Sequence, residues 1–176
     1  MGGGPAERQP DLERRVLDAG HERIAFIAGE ELTSTNRDRE AGFVEGLTRR
    51  GHHLSYRESA GEYFYENGYE AARRLLNCNP RPDAVFCASD LIAMAVMDCA
   101  RVELHLNIPG DLSVAGFDDI PSAAWPSYDL TTVRQPFGKL VDTTIEVLLN
   151  AIKNPDGDVR EEVIPPSFVW RSSVRR

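Results

Sequence analysis

Apolar residues fall along this chain in two alternating patterns, short uninterrupted runs and stripes at helical spacing, which predict strands and helices taking turns. The pattern is sharpest from Pro82 to Pro121. Asp83 to Ala88 is an apolar run ending in Ser89-Asp90, and Leu112 to Phe117 is a second ending in Asp118-Asp119. Between them Leu91 to Leu104 carries a helical stripe, with Pro109-Gly110 as the break before the second strand. Upstream, Leu12 to Ala19 predicts a short helix ended by Gly20, and Arg23 to Ala28 a strand. About Asn36 to Arg50 predicts a helix ended by Gly51, Leu54 to Arg57 a strand, and Glu66 to Leu76 a helix. Downstream, Leu130 to Val133 is extended, and Phe137 to Lys153 places apolar residues at 137, 140, 141, 145, 148, 149 and 152. Val163 to Trp170 is extended but interrupted by Pro165-Pro166. Such alternation predicts an α/β fold on a doubly wound parallel sheet. Ligands of these sheets bind outside the carboxyl ends of the strands, so Ser89, Asp90, Asp118 and Asp119 are expected to share one edge.

Composition narrows the field. The 176 residues suffice for one ordinary domain with a real core or for two small lobes, and a formal net charge of -8 repels nucleic acid. Any DNA contact must come from elsewhere. Cys78, Cys87 and Cys99 form no CxxC pair and two of them sit inside apolar runs, which reads as buried free thiols in a reducing cytoplasm. Residues 1–11, rich in Gly and Pro, read as a disordered tail, and the N-terminus carries charge where a secretory signal needs an apolar core. No apolar run approaches the roughly 20 residues that span a bilayer, so no membrane partner is expected. His21, His52, His53 and His105 lack metal-ligand spacing, and no Gly-rich phosphate loop or HExxH occurs, so neither metal nor cofactor is expected.

Six ordered blocks carry a resemblance: GHERIAFIAG (Gly20 to Gly29), REAGFVEGL (Arg39 to Leu47), GYEAARRLL (Gly68 to Leu76), PDAVFCASDLIAMAVM, DLSVAGFDDIP and LTTVRQP (Leu130 to Pro136). In order and spacing, over about residues 12–176, the chain resembles the effector-binding domain of the LacI/GalR family of bacterial transcription regulators. The resemblance implies a type I periplasmic-binding-protein-like fold of two α/β lobes, with a small effector, usually a sugar or nucleobase, held between them. Family members begin with a helix-turn-helix, a hinge helix and the first half of the N-terminal lobe, none of which precedes Leu12. The chain is therefore expected to be truncated, with one lobe complete and the other partial. Residues 12–22 would be a remnant helix of the N-terminal lobe, 23–129 the C-terminal lobe, 130–154 a return segment to the first lobe and 155–176 a last excursion to the second. The helix from Phe137 to Lys153 would then present an apolar face with no partner, leaving it mobile, misplaced or self-associating.

The candidate site follows from the same blocks. Arg39 opens RxxGF, where a guanidinium can fork onto vicinal hydroxyls or a carboxylate, or else pair with Asp38 or Glu40 on a solvated helix. Thr35 serves equally as helix cap or ligand contact. Asp118, ending the GFDD strand, can accept bonds from two hydroxyls, its alternative being a turn role shared with Asp119. Ser89 stands where many relatives have Asn, with a shorter reach. The resemblance puts Tyr63 at a pocket aromatic, with Phe64 and Tyr65 as competitors one residue away, and brings Gln135 and Phe137 to the cleft from the return segment. Trp125 either packs under the crossover or edges the pocket. Met94 and Met97 read alone as core, whereas the matching helix of relatives lines the subunit interface, which implies a homodimer.

Three classes of function fit these residues. The first is the effector-sensing and dimerising domain of a transcription regulator, which would reach DNA only through a helix-turn-helix absent from the chain. The second is the solute-binding protein of a sugar transporter. The third is an enzyme using Asp118 and Asp119 as an acid/base pair, and it is disfavoured because adjacent carboxylates at an extended strand end point to opposite faces.

Overall fold

The computed structural model describes residues 16–154 and 162–175. Its centre is one six-stranded sheet. The strands are β1 (Ile24–Ala28), β2 (Tyr56–Ser59), β3 (Ala84–Cys87), β4 (Ser113–Asp118), β5 (Thr131–Arg134) and β6 (Ser167–Val169). The order across the sheet is β2-β1-β3-β4-β5-β6, parallel except for the last, antiparallel pair. The helices α1 (Ser34–Thr48), α2 (Tyr65–Leu76) and α3 (Asp90–Val102) join the parallel strands, and α4 (Phe137–Lys153) leads from β5 towards β6.

Burial on both faces explains why β1 and β3 are unbroken apolar runs rather than alternating ones. Ala25 and Ile27 of β1 face α2 and α3 in a core with Leu75, Leu76, Ile92 and Met97, whereas Ile24, Phe26 and Ala28 face α1 in a core with Phe43, Leu47 and Phe86. The second core also holds Val16, only 4% exposed. Within the described part of residues 12–22, the Val16 side chain lies in this core beside Phe43 and Ala84.

Two predicted strands are shifted. The second begins at Tyr56 rather than Leu54, and the last holds only Ser167–Val169. Pro165 and Pro166 supply no N–H to a ladder, so pairing starts after them. Trp125 neither packs under the crossover nor is enclosed, being 57% exposed. Helix α4 has no buried residue, and Phe137, Val141, Ile145, Leu148, Leu149 and Ile152 are each at least half exposed. No described helix is long and apolar enough to cross a membrane. Cys87 and Cys99 are buried and Cys78 half-buried, all three free.

Candidate functional site

The sheet's carboxyl edge is shaped by the end of β4. Asp118 and Asp119 adopt φ of 116° and 55°, left-handed conformations that short polar side chains tolerate better than branched ones. The turn sends the two carboxylates to different partners. Asp118 Oδ1 accepts from Arg39 Nη2 at 2.9 Å and from Gln135 Nε2 at 2.6 Å. Asp119 accepts from Arg171 Nη2 at 2.7 Å and from Arg134 Nε. Burial pushes the Asp118 carboxyl above its ordinary range, with Arg39 and Gln135 holding it back in part. Burial acts the same way on Asp119, but the bonds from Arg171 and Arg134 outweigh it and leave that carboxyl below its ordinary range.

Arg39 is held from three sides. Its Nη1 donates to the Ala88 carbonyl after β3, its Nη2 to Asp118, and its Cζ lies 4.1 Å from the centroid of the Phe117 ring. The side chain is 10% exposed, so the solvated reading does not hold; Glu40 instead pairs with Arg57. An open cavity of about 350 Å³ adjoins it, lined by Arg39, Phe43, Phe86, Phe117, Val133 and Phe168. The second oxygen of Asp118 has no protein donor among the described residues, and its carboxylate is 24% exposed. Arg39, Asp118 and Gln135 are thus joined at one edge of the sheet, leaving an open acceptor on Asp118 that can take a ligand hydroxyl.

Other predicted residues sit differently. Ser89 is buried and caps α3, its hydroxyl accepting from Ile92 N–H at 3.3 Å. The cap of α1 is Thr33, whose Oγ1 accepts from Asn36 N–H, and Thr35 is left exposed on the first turn. Phe137 opens α4 with its ring 57% exposed. Tyr63 is half-buried with its ring against Gly29 at the end of β1, Phe64 is exposed, and Tyr65 donates to Asp98 at 2.9 Å. Met97 is fully enclosed and Met94 is 6% exposed, so both thioethers fill this chain's own core and offer no outward surface.

Two further residues act here: Asp90, which the sequence placed at this edge without a partner, and Asn36, which it did not single out. Asp90, with none of its surface exposed, accepts from Thr132 Oγ1 and from Ile120 N–H at 2.9 Å, and so fixes the turn that aims Asp118. Burial pushes its carboxyl up, against those two bonds. Asn36, also fully enclosed, accepts from Gly29 N–H at 2.8 Å. Its place three residues before Arg39 is the one signal in the sequence that could have marked it.

A family model described as a periplasmic binding protein-like domain matches residues 14–174. The HTH-type transcriptional repressor PurR of Erwinia tasmaniensis is 35% identical over 164 residues, 92% of this chain and 47% of that protein. The lac repressor dimer bound to operator and the anti-inducer ONPF superposes with a TM-score of 0.82 at 28% identity, covering 92% of this chain and 55% of that one. The transcriptional regulator CelR in complex with cellobiose gives 0.82 at 30%, covering 92% and 49%. The chain spans about half the length of the curated relatives it matches. The match over nearly the whole chain shows that it belongs to the periplasmic binding protein-like domain family, with LacI/PurR-type repressors among its relatives.

Proposed function

We propose that this chain is the effector-binding and dimerising portion of a cytoplasmic LacI-type transcription regulator, and that the Arg39–Asp118–Gln135 station reads the hydroxyls of a small sugar-like effector. The observation that supports it is the open second oxygen of Asp118 beside a buried guanidinium fork. Effector binding would favour one lobe arrangement and so shift the population competent for DNA. DNA contact in this reading comes from a helix-turn-helix of the kind the relatives' name states, since the net charge of -8 repels a phosphate backbone. No catalysis enters it: the relatives are named repressors, and Asp118 and Asp119 turn to separate partners.

The test is thermal unfolding of the chain with and without a panel of pyranoses, repeated for Asp118→Ala. A sugar that raises the wild-type melting temperature and leaves the variant unmoved supports the station. Equal shifts in both would remove Asp118 from the site.

Homodimerisation is part of the same reading, through a surface other than the two methionines. Tyr65 and Tyr128 both donate to Asp98 Oδ2 at 2.9 Å; Phe64, next to Tyr65, and Trp125, three residues before Tyr128, are 58% and 57% exposed. Aromatic side chains of this kind anchor interfaces.

A further inference from the structure

We propose that the amide of Asn36 and the hydroxyl of Tyr63 form a second station of the cleft, two donors for a hydrogen-bond acceptor of the effector. The inference rests on the sensor reading above. Asn36 uses its Oδ1 to hold Gly29 N–H, while its Nδ2 is buried without a hydrogen-bond partner. The Tyr63 hydroxyl is buried without a partner as well. Buried amides and hydroxyls are nearly always paired, and two unpaired donors converging on one glycine call for an acceptor.

Gly29 explains the convergence. A Cβ there would lie 2.5 Å from Tyr63 Cζ, so only glycine lets the ring rest on the end of β1. Asn36 reaches the same glycine from α1, and Arg39, three residues on, shares its helix face. The two stations thus stand along one edge, at the ends of β1 and β4.

The experiment is calorimetric titration of the full chain with glucose, galactose, their monodeoxy derivatives, hypoxanthine and cellobiose, on wild type, Tyr63→Phe and Asn36→Asp. Tyr63→Phe removes only the unpaired hydroxyl, and Asn36→Asp keeps the acceptor for Gly29 N–H while removing both side-chain donors. One of these probes is expected to bind, each variant to weaken it roughly 5- to 10-fold, and the weakening to vanish for the deoxy probe that lacks the acceptor. Without probe, Tyr63→Phe is expected to melt no lower than wild type. Binding unchanged in both variants would overturn the donor pair and leave the sensor reading in place. Binding of no probe would sink both this inference and the reading it rests on.

Discussion

Two glycines make opposite demands on the residues around them. At Gly116 a Cβ would meet Asp90 Cα and Leu130 Cδ2, each at 3.1 Å, because the start of α3 is pressed against β4 there. At Gly42, in the middle of α1 within RxxGF, a Cβ would meet nothing within 4 Å. Gly116→Ala is therefore expected to destabilise the chain by about 1–3 kcal/mol, through displacement of Asp90 and the turn it holds. Gly42→Ala should instead stabilise it by about 0.5–1 kcal/mol, since alanine loses less freedom in a helix. Urea unfolding of the two variants checks both signs. Arg39, Asp118 and Gln135 could be named from their motifs because each motif spells a strand end or a helix face. The exchange of roles between Ser89, which caps, and Asn36, which reaches Gly29, was not legible, since a short polar residue at a helix start serves either purpose.

Among the elements, α1 to α3 earn their place by burial and α4 does not. Leu47 on α1 and Ile92 on α3 are fully enclosed, and replacing either with Ala is expected to cost about 2–5 kcal/mol. On α4 the double change Ile145→Ser and Leu149→Ser should shift the urea midpoint little, because both side chains are already half exposed, and should reduce self-association and dye binding to apolar surface. A loss of stability like that of the core variants would show that α4 is covered. Helical periodicity predicted the limits of α4, Phe137 to Lys153, without error. The stripe that gave those limits marks which side is apolar, and says nothing of what lies against it.

For the whole molecule, stability near neutral pH is tied to His21, which joins the start of β1 to the last described residues. Its Nδ1 lies 3.3 Å from Asp83 Oδ1 and 2.9 Å from Arg175 Nη2, and the ring is enclosed. Burial first, then Arg175, holds its pKa below the ordinary 6.5, against the pull of Asp83. The unfolded chain thus takes up a proton near pH 6.5 that the folded chain resists. Stability from this source is complete above that value and declines as pH falls through it towards the lowered folded value. The urea midpoint should drop between about pH 7.5 and about pH 5.5, and His21→Gln should flatten that dependence. At the same scale, Trp125→Lys is expected to yield monomers by light scattering with helix content kept; an unchanged mass would place the interface elsewhere. The alternation of runs and stripes by itself determined the element order and the doubly wound sheet, because strand and helix periods are properties of consecutive residues. The ordered motifs determined the family and brought Arg39, Asp118 and Gln135 forward as candidates. Only the tertiary structure decided that Val16 shares a core with Phe43 and Ala84, that Met94 and Met97 turn inward, and which donors Asp118 and Asp119 each meet. Each of those depends on which distant residues arrive beside the side chain, and that information lies in the packing rather than in any local run.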